Sequence, residues 1–260
     1  MRRAWMVMVV LVAGCKAEIS GAGLGGDSSD GTVVDARATG IDGAGSNTLA
    51  DAAVVAPDGP RCSARSVVLK FDGVTLTKGP SDAKTLTASW IGVTNGATTA
   101  TVPPFLETDS NRLALIATVT DRIRTGLAQF PIQVLTAPPA TGNYVLIAFG
   151  GQATALGTPY TYATNELDCG DVRPNDLAWV SDVVPFDKID DYAIGAIGYG
   201  LGLTGTTDPN DCMCGWGTQC AQPTTTQCTL ATTATAEVQC AGQVNPQREV
   251  AAFETAFCTP

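Results

Sequence analysis

The segment from residue 192 to residue 216 constrains the fold of this chain more than any other. It begins as an apolar run and ends in a turn-rich stretch that carries Met213. The apolar part contains Gly195, Gly198, Gly200 and Gly202. Asp187 can cap a helix here, over about Lys188–Leu201. Because each glycine inside a helix costs about 1 kcal/mol relative to alanine, such a helix needs close packing from the rest of the domain.

One long helix and several short strands precede this segment. The helix is predicted over Asp109–Phe130, because Asp109 or Ser110 can cap it and apolar residues recur at three- and four-residue steps. Those residues are Leu113, Ile116, Val119, Ile123 and Leu127. Apolar and β-branched runs predict strands at residues 67–71, 87–93, 132–135, 144–149 and 176–184. Residues 150–170 have the composition of a long polar loop.

The order of these elements predicts an α+β domain with a mixed sheet and two principal helices. An α/β arrangement stays open, because the runs at 132–135 and 144–149 alternate poorly and suit central strands. A cysteine-rich C-terminal part follows. It ends in a helix predicted over Pro246–Phe257, with Pro246 in its first turn. Residues 61–260 suffice for one domain with a substantial core.

The N-terminus has the pattern of a bacterial lipoprotein signal peptide. Residues 1–14 carry Arg2 and Arg3 before an apolar run that is too short to span a bilayer. The run ends in Leu-Val-Ala-Gly-Cys, which resembles a lipobox, so Cys15 is predicted to carry a lipid anchor. A secreted protein with an ordinary cysteine is the alternative. Lys16 stands where inner-membrane lipoproteins have aspartate, so the resemblance implies the outer membrane.

A tether and an acidic surface are predicted for the rest of the chain. Residues 16–60 hold nine glycines and neither an aromatic residue nor a cysteine, a composition that favours a disordered chain. With Cys15 they would form a flexible linker, 15–60, that reaches roughly 35–40 Å; a pro-segment packed on the domain is the alternative. Without residues 1–14, 13 Lys and Arg stand against 25 Asp and Glu, a net charge of −12. Such a surface repels nucleic acid, so none is expected as a partner.

The cysteines predict a disulfide-bonded domain. Eight remain once Cys15 is set aside, and an even number outside the cytoplasm is typical of disulfides. They are Cys62, Cys169, Cys212, Cys214, Cys220, Cys228, Cys240 and Cys258. Eight cysteines allow 105 pairings, so the connectivity stays open. A zinc cluster is the alternative for the four between 212 and 228, although they lack C-x2-C spacing and the chain has no histidine.

The segment from residue 195 to Met213 resembles the active-site helix and methionine turn of metzincin zinc proteases. Those enzymes carry H-E-x-x-H-x-x-G-x-x-H, in which three histidines bind zinc, the glutamate is the general base and the glycine turns the chain. Gly202 aligns with that glycine, and Met213 aligns with the methionine of the turn. The order of the preceding strands and of the loop at 168–170 is also similar, over about Val67–Phe257. The resemblance implies a zincin-like (metzincin-like) domain at residues 61–260.

The metal-ligand positions depart from that family. Gly195, Tyr199 and Gly205 stand where the three histidines would be, and Ala196 replaces the general base. Because the chain contains no histidine, a histidine-rich zinc site cannot form elsewhere, and the missing carboxylate removes the base. We therefore expect no metal, no cofactor and no zinc-dependent hydrolysis. We also expect the four positions to face one cavity above Met213.

Two other patterns in the sequence suggest different kinds of site. Residues 200–205 spell G-x-G-x-x-G, the dinucleotide-binding fingerprint, but that motif has to follow a strand and open a helix, whereas turn residues follow here. Asp190 and Asp191 form a pair of carboxylates, but adjacent residues on a helix do not face each other. We predict that both lie at a solvated helix start, where they favour the helix dipole.

Together these patterns predict a lipid-anchored protein of the outer membrane or cell surface whose body is an inactive, protease-like module. Its role would be binding or structural, with a protein or peptide as the possible ligand and the membrane engaged through the anchor. Two alternatives stay open. One is a working zinc metallopeptidase whose site is misaligned, and the other is an envelope or adhesion module.

Overall fold

The structure, a computed structural model, describes residues 65–217, 220, 227–233, 239–240 and 246–257. The predicted leader over 1–14, the linker over 15–60 and three cysteines lie outside the described residues. Those cysteines are Cys15, Cys62 and Cys258. In the described part of the chain, no helix combines the length and the hydropathy needed to cross a bilayer.

Eight strands in two sheets and four α-helices make up the described fold, which is mixed α and β as predicted. The strands are β1 (Arg65–Lys70), β2 (Val74–Lys78), β3 (Thr87–Ala88), β4 (Thr99–Val102), β5 (Gln133–Leu135), β6 (Asn143–Phe149), β7 (Ala163–Thr164) and β8 (Leu177–Val180). The helices are α1 (Arg112–Gly126), α2 (Ala153–Leu156), α3 (Ile189–Gly200) and α4 (Glu249–Ala256).

The main sheet has five strands in the order β5-β1-β6-β8-β7. The first four are parallel, and β7 pairs antiparallel with β8 at the edge, so the sheet is mixed. Its central strands are apolar on both faces, as strands covered on both sides have to be. Along β1, Val67 and Leu69 face one hydrophobic cluster and Val68 faces the other. The sheet therefore separates two cores.

A second, three-stranded sheet covers one of these cores, in the order β3-β2-β4. β2 pairs antiparallel with β4, with Leu76 opposite Ala100, and both side chains are buried. The strand predicted over 87–93 extends only over Thr87–Ala88. The turn that follows carries Trp90, whose ring packs 6.3 Å from that of Trp179 on the main sheet.

The two principal helices, α1 and α3, pack against each other over the other core. α1 is shorter than the predicted span of 109–130. Neither Asp109 nor Ser110 caps it, because Asn111 occupies the cap position and the Asp109 side chain instead accepts a bond from the Asn111 amide at 2.7 Å. Leu113 was predicted to lie on the apolar face, yet its first-turn position leaves it 78% exposed.

The region before and after α3 corrects several predicted boundaries. Residues 150–170 contain α2 and the edge strand β7 rather than loop alone. The strand predicted over 176–184 ends at Val180. Asp187 lies in a short 3-10 turn and does not cap α3, whose cap position is Lys188. Pro246 precedes the C-terminal helix instead of opening it, since α4 begins at Glu249.

Three disulfides are present among the described cysteines, which confirms the disulfide prediction for them. They are Cys169–Cys240, Cys212–Cys228 and Cys214–Cys220. The alternative of a zinc cluster between residues 212 and 228 is therefore wrong, because all four thiols there are consumed in bonds to one another. Two of the bonds fix the segment that follows α3.

Candidate functional site

The glycines of α3 let the segment after it pack directly on the helix backbone. A Cβ atom at Gly195 would lie 2.1 Å from Trp216 Nε1 and 2.5 Å from the carbonyl oxygen of Cys212. At Gly198 it would lie 2.5 Å from Met213 Sδ. These contacts leave no room for larger side chains. They supply the packing that offsets the low helix propensity of glycine.

α3 ends in a glycine turn at the position that the metzincin pattern assigns to its glycine. Gly202 has a φ of +83°, in the left-handed region. Its amide donates to the carbonyl of Tyr199 at 3.1 Å, and the amide of Leu203 donates to the carbonyl of Gly198 at 3.0 Å. This is a Schellman ending, which satisfies the last helical carbonyls and reverses the chain.

Met213 lies beneath α3, fully buried, in the turn that follows this reversal. Its amide donates to the Asp211 side chain at 2.7 Å, and its carbonyl accepts from Thr206 at 3.1 Å. The Cys212–Cys228 and Cys214–Cys220 disulfides flank it on both sides. The turn is therefore held rigidly against the helix.

The four positions that were aligned with the metzincin ligands and general base do not open together onto one cavity. Gly195 is covered by the Trp216 indole, and Gly205 is buried. Ala196 is fully buried, and its carbonyl accepts a bond from Asn165 Nδ2 at 2.9 Å. Tyr199 alone of the four lines the neighbouring cleft. The expectation of one shared cavity above Met213 is corrected accordingly: Trp216 fills the space next to the first ligand position.

A cleft of about 450 Å³ lies beside α3, where Tyr192 and Tyr199 of the helix line it. We call it the tyrosine cleft, because four of the five tyrosines of the chain line it. Its walls are Pro159, Tyr160, Thr161, Tyr162, Ala163, Thr164, Asn165, Tyr192, Tyr199, Gly215, Trp216 and Gly217. None of these lining residues is charged. The edge strand β7 supplies part of one wall.

The aromatic rings of the tyrosine cleft pack in two pairs. Tyr162 and Tyr192 have ring centroids 5.5 Å apart, and Tyr199 and Trp216 have centroids 5.4 Å apart. Burial raises the pKa of Tyr192 and of Tyr199 above the ordinary value of tyrosine, so both hydroxyls stay protonated at neutral pH. The cleft thus offers ring faces and neutral hydroxyl groups. It offers neither a carboxylate nor a thiolate that could act as base or nucleophile.

Asp190 and Asp191 are buried, so the prediction of a solvated helix start is wrong. Because α3 is covered on nearly all sides, both carboxylates of its first turn need a polar or charged partner. Asp190 forms an ion pair with Arg122 of α1, and burial raises its pKa to about 6 although the guanidinium lowers it. Asp191 accepts a bond from the Cys228 amide at 2.8 Å and lies 3.8 Å from Lys188 Nζ. The pair anchors α3 to its neighbours.

An acidic cluster that the sequence analysis missed lies beside the glycine turn. Asp168, Asp171 and Asp176 each bring one carboxylate oxygen to within 4.8 Å of the others. Two guanidinium groups enter the cluster: Arg65 pairs with Asp171, and Arg173 Nε lies 3.4 Å from Asp176. The close spacing of acidic and basic residues in the stretch 166–176 was the available signal. The acidic groups outnumber the two guanidinium groups, and burial raises the pKa of Asp176 to about 7 although Arg173 lowers it. The network fixes the loop whose Asp168 carbonyl lies against Gly202.

The G-x-G-x-x-G pattern at 200–205 does not have the context of a dinucleotide site. Gly200 is the last residue of α3, and turns follow it, so the glycines close a helix instead of opening one. A dinucleotide fingerprint needs the reverse order. Comparison with models of protein families and with curated proteins gave no match for this chain.

Proposed function

We propose that this chain is a lipid-anchored protein of the bacterial outer membrane whose body is a zincin-like domain without a metal site. The domain binds an extended peptide segment of a protein partner in the tyrosine cleft and does not cleave it. The observation that carries this proposal is an uncharged, aromatic cleft beside a helix that has neither histidine nor glutamate at Gly195, Ala196 and Tyr199.

The zincin-like part of the proposal is supported by three features in the expected order. α3 follows the strand β8, Gly202 turns the chain in the left-handed conformation, and Met213 lies buried below the helix. The metzincin pattern has a helix, a glycine turn and a methionine turn in the same order. The mixed main sheet and the pairing of α1 with α3 agree with such a domain.

The loss of metal chemistry is supported by the side chains at the ligand positions. Zinc sites use imidazole, thiolate or carboxylate groups at about 2.0–2.3 Å from the ion. Gly195 and Gly205 have no such group, and the Tyr199 phenol is held protonated by its raised pKa. The Trp216 indole fills the volume that a ligand at position 195 would need.

A peptide ligand is favoured by the combination of an edge strand with aromatic walls. Among the described residues β7 pairs only with β8, so its other edge can hydrogen-bond an added strand. Tyrosine and tryptophan give large contact areas at low entropic cost and dominate the binding energy of many interfaces. Tyr160 and Tyr162 are 54% and 39% exposed, so both are accessible to a ligand.

Metal content and proteolysis test the inactive-site part of the proposal. The protein is purified in detergent, its zinc is measured by mass spectrometry, and casein cleavage is followed with and without a chelator. We expect far less than one zinc per chain and no chelator-sensitive cleavage. One tightly bound zinc per chain, removable with loss of peptidase activity, would support the metallopeptidase alternative and overturn the proposal.

Peptide selection tests the binding part. A phage-displayed library of random peptides is selected on the wild-type protein, and the affinities of enriched peptides are then measured for variants. Tyr162→Ala and Trp216→Ala should weaken binding at least about tenfold, as central aromatic contacts do. Leu113→Ala is the control, because Leu113 is 78% exposed and lies outside the cleft. Enriched peptides that bind all three variants as tightly as the wild type would show that the cleft is not the site.

A further inference from the structure

Two buried carboxyl groups meet where the C-terminal helix packs on the methionine turn. Glu249 opens α4 and is fully buried, and Asp211 lies two residues before Met213 and is 4% exposed. The two carboxyl groups interact with each other. Since ionised carboxylates are acceptors only, a hydrogen bond between them would need a proton on one of the two.

The other hydrogen bonds of the pair tie several chain segments together. Glu249 accepts from Gln247 Nε2 at 2.8 Å and from the Ala231 amide at 3.1 Å. Gln247 in turn bonds the amide and the carbonyl of Thr204, at 3.0 and 2.8 Å. Asp211 accepts from the amide of Met213 at 2.7 Å. The pair therefore connects α4, the turn with Met213, the chain near Ala231 and the segment after the glycine turn.

A third acidic residue, Asp208, also acts electrostatically on the Asp211–Glu249 pair. Asp208, from the same turn, adds a negative charge that raises the pKa of Asp211 further. Among the described residues no lysine or arginine forms an ion pair with either carboxyl group, and the neighbouring Arg248 is exposed. Burial, followed by the negative charge of Asp211, raises the pKa of Glu249 to about 8. A second negative charge here would have no counter-charge.

We propose that Asp211 and Glu249 form a proton-dependent latch that fastens α4 to the turn carrying Met213 and Trp216. While the pair holds one proton, the four segments stay joined. When the proton leaves, two buried carboxylates repel each other and the contact between α4 and the turn loosens. The amide of Trp216 donates to the carbonyl of Met213 at 3.2 Å, so the loosening reaches one wall of the tyrosine cleft. The latch itself requires no ligand at that cleft.

The direction of the pH effect follows from proton linkage. The latched form binds its proton up to a pH of about 8, whereas an opened Glu249 would release it near 4.3, the ordinary value of a glutamate. The stabilisation by the latch is therefore complete below about pH 4.3 and is lost progressively as the pH rises to about 8. Above that value the latched form is deprotonated as well, and no further loss follows.

Hydrogen exchange of a matched pair of variants tests the latch. In Glu249→Gln the side chain no longer titrates; its NH2 group can donate to Asp211, and its carbonyl oxygen can keep one of the two bonds accepted from Gln247 and Ala231. Glu254→Gln is the control, because Glu254 is exposed on the same helix. The full-length chain and both variants are exchanged at the same pH values, so that the intrinsic exchange chemistry cancels. Peptides covering 206–217 and 246–257 report on the latch.

We expect the protection of wild type relative to Glu249→Gln to fall at least about tenfold between pH 5.5 and 8.5, in the two latch segments. The ratio of the protection of wild type to that of Glu254→Gln should not change over this pH range. If the ratio of wild-type protection to Glu249→Gln protection stayed constant with pH, the latch would be refuted. If that variant does not fold, the carboxyl ¹³C resonance of Glu249 in the wild type decides: a midpoint near pH 8 supports the latch, and one below pH 6 refutes it.

Discussion

At the scale of single residues, Gly195 and Trp216 determine which side chains this face of α3 can accept. The Trp216 indole lies on the helix where a side chain at position 195 would emerge. The sequence shows directly that no histidine stands at positions 195, 199 and 205. It could not predict that a residue far along the turn fills the space, because that depends on how the disulfide-bonded segment folds back.

The close contact at Gly195 predicts a position-specific cost of adding one methyl group. Gly195→Ala should lower the free energy of unfolding by about 1–3 kcal/mol, as overpacking does. Its new Cβ would meet a rigid indole and the backbone carbonyl of Cys212. Gly198→Ala is the matched comparison, because there the nearest atom is the flexible Met213 Sδ. Urea unfolding measures both, and equal losses would contradict the packing described for Trp216.

Rebuilding a zinc site at the four aligned positions should fail. The combined substitutions Gly195→His, Ala196→Glu, Tyr199→His and Gly205→His supply the missing groups. The indole beside position 195 would still block the first imidazole. Adding Trp216→Ala removes the indole but leaves the Cys212 carbonyl oxygen 2.5 Å from a Cβ at position 195, so calorimetric titration should detect no tight zinc binding by either variant. Tight zinc binding by either variant would show that these contacts give way.

Asp190 shows a different limit of sequence reasoning at this scale. Two adjacent acidic residues in the first turn of a helix are typical of a solvent-exposed helix end. Here the helix is enclosed, so Arg122 from α1 has to compensate the buried carboxylate. Nothing in the local pattern indicates the partner, because it comes from another helix.

At the scale of elements, the interface of α1 with α3 depends on that ion pair. Arg122→Met should destabilise the domain by about 2–4 kcal/mol, since it leaves the Asp190 carboxylate buried without its partner. Arg124→Met is the control on the same helix, because Arg124 and its partner Asp121 are 51% and 75% exposed. Such a surface pair contributes about 0–1 kcal/mol. Unfolding in guanidinium chloride measures the free energy of unfolding of both variants. Similar decreases for Arg122→Met and Arg124→Met would show that the Arg122–Asp190 ion pair does not stabilise the interface.

How well each strand or helix could be predicted from the sequence depended on its hydrophobic pattern. β1, β6 and α3 were predicted at nearly their observed positions, because strands and helices buried on all sides leave long apolar runs. β2 and β4 were missed. Their sequences are rich in threonine and bury only alternate residues, such as Leu76 and Ala100. β7 has two residues, and its strand character comes from pairing with β8 and not from its own sequence.

At the scale of the whole molecule, attachment to the membrane is a prediction from the N-terminus. Cys15→Ser should leave the leader uncleaved and the protein without lipid. Mass spectrometry of the intact protein tests this, with Cys62→Ser as the control, which should remain lipidated. A wild-type chain that starts anywhere other than at a lipidated Cys15 would contradict it.

The central pairing of the main sheet depends on contacts between segments that lie far apart in the sequence. β1 lies between β5 and β6, so Val67 finds its partners Val134 and Val145 only after α1 and the small sheet have been synthesised. Contacts so distant in sequence form slowly, typically in milliseconds to seconds. During that interval the apolar strand β6 has no partner and is a site for aggregation. Slow pairing of these central strands therefore lengthens the time in which the chain can aggregate before its sheet is complete.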